Sequence, residues 1–419
     1  MDSDRTLLER LFSEAVSKAQ PALAVARHLP APPKGRTIVI GAGKASAQMA
    51  RAFEQAWPGE ISGLVVTRYG YAEPCERIEI VEAAHPVPDA AGAEAAKRLL
   101  ALVEGLTEDD LVVALISGGG SSLLPAPAAG LTLEDEQAIN RLLLASGAPI
   151  GVMNLIRNQF SRIKGGRLAA AAYPARVATL VVSDVPGDDP ALVASGPTLP
   201  LAGGRAEARR LAALYRLDLP DAAARLLAGD DNLPPDASDV VFARNSTATI
   251  ASAALSLEAA AELARQSGVE AAILSDAIEG EARDVALVHA AMAREVAMRN
   301  RPFPKPVVLL SGGETTVTLR GKGRGGRNGE FLLALAIALD GVEGVCALAG
   351  DTDGIDGSED NAGAFVDGTT ARRMREAGID PQAALADNDA YGAFAASGDL
   401  FVTGPTGTNV NDFRAILIR

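Results

Sequence analysis

The chain has 419 residues, 48% of them hydrophobic but only 4% aromatic, which is enough for two domains with cores built mainly from Ala, Leu and Val. A net charge of −14 argues against nucleic acid or an anionic membrane as partner, and no apolar run approaches the roughly 20 uncharged residues of a membrane span. The opening Met-Asp-Ser-Asp-Arg has no basic n-region, and Cys75 and Cys346 lie far apart without metal spacing, so a reduced, cytoplasmic protein without structural zinc is expected.

Residues 5–28 carry helical periodicity through Leu7, Leu8, Leu11, Phe12, Ala15, Val16 and Ala19, up to a proline-rich break at 30–33. A strand at 37–40 then runs into Gly41-Ala-Gly-Lys44 and a helix at 46–57. A strand at 63–67, a helix at 89–105, a buried strand at 111–116 and a helix at 132–146 follow, the last with Thr132 as N-cap. A strand at 176–182 ends in Ser183-Asp184. The stretch 198–236, rich in Pro, Ala, Gly and Asp, marks a boundary near Leu233-Pro-Pro-Asp236, giving domains at 1–235 and 236–419. Beyond it strands are expected at 239–243, 270–274, 307–310, 344–348 and 400–402, with helices at 247–267, 280–299, 329–339 and 369–376. This alternation predicts an α/β protein of two domains, with parallel or mixed sheets and helices on both faces.

The strand ends carry the chemistry. Ser-Gly-Gly occurs twice after an apolar run, as Ser117-Gly118-Gly119-Gly120-Ser121-Ser122 and as Ser311-Gly312-Gly313-Glu314-Thr315-Thr316. Bare amides at the carboxyl edge of a sheet bind anions, so two anion-holding walls facing one cleft are expected. Gly41-Ala-Gly43-Lys44-Ala-Ser46 follows a strand and opens a helix. It is neither a dinucleotide fingerprint, since Ser46 replaces the third glycine, nor a Walker A loop, since Ile38 stands where the first glycine belongs. What remains is Lys44 at a helix N-terminus, where an incoming anion would be shared with the helix dipole.

Lysine is scarce, seven in all, yet Lys44, Lys164 and Lys322 each adjoin a glycine. Gly321-Lys-Gly-Arg324-Gly-Gly-Arg327-Asn-Gly-Glu330 reads as a flexible cationic loop, with Arg327 best placed to meet a transferring phosphoryl group. Asp351 and Asp353, in a loop that fits calcium poorly because Ile355 takes a ligand position, suit Mg²⁺ beside phosphate oxygens. Asp184, Asp188 and Asp189 form a second acidic loop able to hold metal or accept a proton. His85, before Pro86, is the one histidine near this chemistry.

These motifs, together with Asn154-Leu-Ile-Arg157, Ser161-Arg-Ile-Lys-Gly-Gly-Arg-Leu168, Ala194-Ser-Gly-Pro-Thr198 and Thr403-Gly-Pro-Thr-Gly-Thr-Asn409, resemble the class II glycerate 2-kinases over essentially the whole chain. The resemblance implies a Rossmann-like domain followed by a MOFRL domain, with the site between them. It implies ATP- and Mg²⁺-dependent phosphorylation of (R)-glycerate at its 2-hydroxyl, with catalytic weight on Lys44 and Arg327. The expected site is then catalytic Lys44, Arg327 and Asp184; ligand-binding Gly41, Gly43, Ser117 to Ser122, Ser311 to Thr315 and Asn409; and metal-binding Asp351, Asp353 and Asp189. The partners are glycerate and ATP, and a homo-oligomer is left open. The rival reading is an NAD(P)H-dependent hydroxypyruvate or tartronate reductase, and a weaker third is a carboxylate sensor that consumes no ATP.

Overall fold

The computed structural model describes residues 2–185 and 187–419; Met1, and Pro186 within the Ser-Asp184-Val-Pro-Gly stretch, lie outside the described residues. Two units emerge, Pro21–Ile250 and a second formed by Ala251–Arg419 with the chain up to Gln20. The boundary expected at 235 therefore moves to 250, and the first helix leaves the N-terminal unit. Its apolar face explains the move. Leu8, Leu11, Phe12 and Ala15 of helix Asp2–Lys18 are buried, and Phe12 packs edge-on against Phe401 and Phe413, with centroids 5.1 and 5.7 Å away.

In the N-terminal unit six strands, β1 (Thr37–Ala42), β2 (Ser62–Arg68), β3 (Ile78–Ala83), β4 (Leu111–Ser117), β5 (Arg176–Val182) and β6 (Ser246–Ala251), form one sheet in the order 3-2-1-4-5-6. β1 to β5 pair in parallel. Every residue of β1 and β4 is buried, as an uninterrupted apolar run with strands on both edges demands. The chain winds from β1 outward to β2 and β3, then returns to β4 on the other side of β1. At that switch point neighbouring connections leave in opposite directions, and ligands bind beyond the carboxyl ends of the strands. Helix Leu133–Ala145 starts where expected, because Thr132 Oγ1 accepts from Asp135 N while Asp135 Oδ2 accepts from Thr132 N.

The second unit holds β7 (Glu270–Glu281), β8 (Val307–Thr316), β9 (Val345–Asp351), β10 (Gly363–Asp367), β11 (Leu400–Phe401) and β12 (Asp412–Ile418), in the order 11-10-9-12-8-7. β7 and β8 are parallel and the remaining pairs antiparallel. Three sequence expectations are corrected here. The strand expected at 239–243 is a short 3-10 turn at Val240–Phe242, and β6 takes the start of what reads as helix, leaving that helix at Ala253–Gln266. The loop expected after 310 is strand: β8 continues through Ser311, Gly312 and Gly313 to Thr316, paired with β12 as far as Gly313 and with β7 as far as Thr316. Gly313 has φ +123°, and a Cβ there would lie 2.2 Å from Ile278 O, so the second Ser-Gly-Gly serves close strand approach. Lastly, the glycine-rich segment before Arg327 is tied down. Arg320 N and Gly321 N donate to Asn388 Oδ1, Lys322 N to Asp387 Oδ1 and Arg324 N to Asp389 Oδ1.

Among the described residues no helix is long and apolar enough to cross a membrane. Lys164, one of the three lysines that adjoin a glycine, is fully buried. Its Nζ donates to Glu136 Oε1 at 2.6 Å and to Leu124 O at 3.1 Å. Removing one member of a buried ion pair strands the other charge in a poorly polarisable interior. Lys164→Met should therefore cost about 3–5 kcal/mol of stability, and the double change Lys164→Met with Glu136→Leu should return most of it. Urea unfolding of the three proteins checks this, and a single variant as stable as the parent would refute it.

Candidate active site

In the N-terminal unit the candidate side chains stand on the loops that leave the carboxyl ends of β1, β3, β4 and β5. The first two loops of the switch point are locked together. Lys44 N donates to Gly118 O at 2.8 Å and Ala45 N to Ser117 Oγ at 3.0 Å, and Ser46 Oγ shares a 3.0 Å hydrogen bond with Ser117 Oγ. Gly43 has φ +145°, and a Cβ there would lie 2.1 Å from Ser117 Oγ, so only glycine permits the approach. Gly119, at φ +80°, opens the short helical turn Gly120–Leu123. A Cβ built on Gly119 would lie 2.9 Å from His85 Nε2 and 3.2 Å from Lys44 Cγ, and one on Gly118 would lie 1.7 Å from Asp184 Oδ2. Lys44, His85 and Asp184 thus converge on one stretch of side-chain-free backbone.

Lys44 is half-buried and makes no salt bridge among the described residues, whereas Lys164 is neutralised. Burial first, then Lys44 and Arg68, push the His85 imidazole down to about 4. His85 is therefore neutral at physiological pH and adds a polar edge to the wall without charge.

The glycines and serines divide into two groups. Gly41 lies inside β1, where a Cβ would meet Leu115 O at 2.4 Å, and the Ser122 hydroxyl donates back to Gly119 O. With Ser117, these positions shape the loops. Gly119 lies directly beside Lys44, and Gly118 O accepts from Lys44 N. Asp189 is exposed, and its Oδ1 accepts from Ala191 N at 3.0 Å, the pattern of a turn residue.

In the second unit the carboxyl ends of β8 and β9 meet the start of antiparallel β12, with Asp412 in register with Gly313 on one side and Asp351 on the other. Arg327, the first residue of helix Arg327–Ala338, reaches into this corner. Its Nε donates to Asp412 Oδ1 at 2.6 Å, Nη1 to Glu314 Oε1 at 2.8 Å and Nη2 to Asp351 Oδ2 at 2.7 Å. Burial would lower the guanidinium's affinity for its proton, but Asp412, Asp351 and Glu314 outweigh it and hold Arg327 charged. Of the five N–H donors, three are used among the described residues.

Asp412, missed by the sequence reading, is the hub. Besides Arg327 it accepts from Asn328 Nδ2 at 2.8 Å, from Thr315 and from the fully buried Arg414. Asp356, also missed, receives Asn328 N and Gly329 N and so caps the helix that carries Arg327; its burial pushes its carboxyl up to about 6. Asp351 lies well above the usual carboxylate range, because burial outweighs Arg327, and Asp353 and Asp412 add to the rise. Ser311 Oγ is buried against His289 Nε2 at 3.0 Å, and Asn409 Oδ1 accepts from Asn411 N, so both have local structural duties.

The corner holds more carboxylates than guanidinium groups, a donor set whose charge suits a divalent cation. Among the described residues no three carboxylate, histidine or cysteine side chains form a cage for one. Asp351 and Asp353 adjoin, with Asp353 N donating to Asp351 Oδ1 at 3.1 Å. Mg²⁺ usually takes one or two protein carboxylates together with substrate phosphates, so this pair fits it in that mode.

A domain of unknown function, DUF4147, matches residues 7–228, and the MOFRL family matches residues 307–412. A protein of Agrobacterium vitis, provisionally named a hydroxypyruvate reductase, is 54% identical over 99% of this chain and 95% of its own. The D-glycerate 2-kinase of Thermotoga maritima is 40% identical over 98% of each chain. The crystal structure of a Thermotoga maritima glycerate kinase superposes with a TM-score of 0.92 at 38% identity, covering both chains in full.

Proposed function

The chain belongs to the class II glycerate kinase family, and from that premise we propose that it phosphorylates (R)-glycerate with ATP at the 2-hydroxyl, yielding 2-phosphoglycerate and ADP. The observation that carries the reading is Lys44: a cation without a salt bridge among the described residues, at a helix N-terminus and beside bare glycine backbone, at the switch point of a parallel sheet. In the proposed reaction the substrate's 2-hydroxyl oxygen bonds to the γ-phosphorus, the bond to the bridging oxygen breaks, and ADP leaves. Asp184 accepts the hydroxyl proton. Gly118, Gly119 and Ser121 hold anionic oxygens, and Lys44 and Arg327 stabilise the charge that develops on the phosphoryl oxygens. Asp351 and Asp353 would hold Mg²⁺ together with the nucleotide's phosphates, where the ion would supply charge neutralisation. A cytoplasmic setting, where ATP is at hand, belongs to the same proposal.

The reductase name of one relative is weighed against a local feature. Where a dinucleotide loop has its third glycine, this chain has Ser46, fully buried with its hydroxyl bonded to Ser117. Phosphorus NMR of the reaction with ATP and D-glycerate separates the readings, alongside absorbance at 340 nm with NADH and hydroxypyruvate. The expected result is a 2-phosphate ester appearing with ADP and no NADH oxidation. A 3-phosphate product, or hydride transfer without ADP, would refute the proposal.

A further inference from the structure

Arg157 closes the motif Asn154-Leu-Ile-Arg157, and nothing above gives it a task. It lies on helix Ile150–Asn158 and is only 9% exposed. Buried arginines ordinarily face a carboxylate, since an uncompensated charge is costly to take from water. Arg157 has no salt bridge among the described residues. Its hydrogen bonds go to neutral oxygens: Nε to Asn140 Oδ1 at 2.8 Å, Nη1 to Asn154 Oδ1 at 2.5 Å and Nη1 to Ser195 Oγ at 3.4 Å. Nη2 carries no hydrogen bond to the described residues, yet it is not among their sealed, unpartnered atoms. The acid that acts on Arg157 is Glu136, and Glu136 is committed to Lys164. Burial consequently pulls the guanidinium down to about 10, which still leaves it charged at neutral pH.

The surroundings join this charge to the switch-point loop. Ser195 Oγ contacts Asn154 Oδ1 at 2.8 Å and Ser121 Oγ at 2.5 Å. Ala194 and Ser195 both have left-handed backbone, φ +53° and +60°, a conformation unfavourable for residues with a Cβ and concentrated where a site dictates it. A Cβ on Gly120 would lie 2.6 Å from the Ala194 Cβ, so this strained turn rests directly on the glycine loop. Hydrogen bonds therefore link Arg157 through the buried Ser195 to Ser121, two residues along the loop from Gly119, which lies beside Lys44. One end of these contacts holds a buried cation without a salt bridge among the described residues, and the other holds the proposed phosphoryl-transfer residues.

We propose that Arg157, with the Ser121 hydroxyl, is the subsite that binds the carboxylate of the three-carbon acid substrate and so fixes its 2-hydroxyl toward Lys44, the fully buried Ser195 hydroxyl holding the two in place. This rests on the kinase reading and names the residues that select an acid over a neutral polyol. A guanidinium presents parallel N–H donors that match a carboxylate, and the substrate's own charge would supply the compensation that the protein withholds.

The test compares the parent, Arg157→Gln and Arg157→Lys for KM toward D-glycerate and ATP, with D-glyceramide, the neutral amide, as competing substrate. Losing a charge-assisted contact should raise the D-glycerate KM about ten- to a hundredfold, with the ATP KM moving less than about twofold. The parent's preference for D-glycerate over D-glyceramide should collapse in Arg157→Gln, and Arg157→Lys should fall between the two. An unchanged D-glycerate KM, equal rises for both substrates, or a surviving preference for the acid would overturn the assignment. If Arg157→Gln does not fold by circular dichroism, Arg157→Lys decides by the same criteria. If the parent releases no ADP with D-glycerate, the kinase reading fails separately, and titration calorimetry with D-glycerate alone then decides the subsite. Heat in the parent that is lost in the variant sustains it, and no heat in the parent overturns it.

Discussion

Lys44→Ala should lose a hundredfold or more in kcat while keeping its fold. A donor placed where charge develops in a transition state is worth about 3 kcal/mol or more, hence roughly a hundredfold in rate. The fold should be spared because the side chain makes no salt bridge among the described residues. What holds the loop is the backbone hydrogen bond from residue 44 to Gly118 O, together with the Ser117 hydroxyl, and an alanine retains both. Circular dichroism and the thermal midpoint should match the parent, and Lys44→Arg should recover part of the rate. A folded Lys44→Ala enzyme with near-parental kcat would remove the switch-point loop from the mechanism.

Arg327→Ala should lose activity on a similar scale, about a hundredfold or more, but should also lose stability. The difference lies in the surroundings. Arg327 is clasped by Glu314, Asp351 and Asp412, and the Asp412 side chain is fully buried. Deleting the cation leaves those charges facing one another, at a cost of about 3–5 kcal/mol. The loss should depend on pH with a definite sign. Arg327 is the cation that restrains the already raised Asp351 carboxyl, so the variant's Asp351 moves still higher. A group whose folded pKa lies above its unfolded value binds more protons when folded, so its contribution favours folding below that pKa and is lost as pH rises through it. The deficit of Arg327→Ala should accordingly shrink on acidification from pH 8 toward pH 5, as followed by urea midpoints. A deficit independent of pH would contradict the carboxylate clasp.

Much of the switch-point wall could be read from the sequence, and the reason is local. β1 and β4 are unbroken apolar runs, so their ends are sharp, and glycines directly after such ends announce close backbone approach. The second Ser-Gly-Gly looked identical, yet it is strand. What decides it is the partner on its edge, the polar segment of β7 from Ser275 to Glu281, which has no strand signature of its own until β8 lies beside it. β12 escaped for a related reason: Asp412 acquires meaning only by standing opposite Asp351 and Gly313, about 60 and 100 residues away along the chain, as antiparallel register requires. The glycines at 321–326 announced flexibility, but three of them make room for close packing. A Cβ on Gly321, Gly323 or Gly326 would come within 2.5 Å of an atom of Asp387, Asp389 or Asp356. Composition around a glycine shows that room is needed, and only the fold shows for what.

Arg157 marks another limit. Its sequence context is an ordinary amphipathic helix, and nothing local distinguishes an arginine that faces solvent from one buried without a carboxylate. The distinguishing facts are the exposure of its side chain and the identity of its hydrogen-bond partners, both properties of packing. Ser195 is similar, since its left-handed backbone is invisible in Ala-Ser-Gly-Pro, where Gly196 alone would draw attention.

The central proposal is that Lys44 and Arg327 act on the terminal phosphate of one nucleotide. A crystal structure with a non-hydrolysable ATP analogue, Mg²⁺ and D-glycerate tests it most directly. The γ-phosphate oxygens should lie within hydrogen-bonding distance of Lys44 Nζ and of an Arg327 Nη atom, with the substrate's 2-hydroxyl in line behind the phosphorus. A nucleotide bound with its phosphates remote from both side chains would contradict the account.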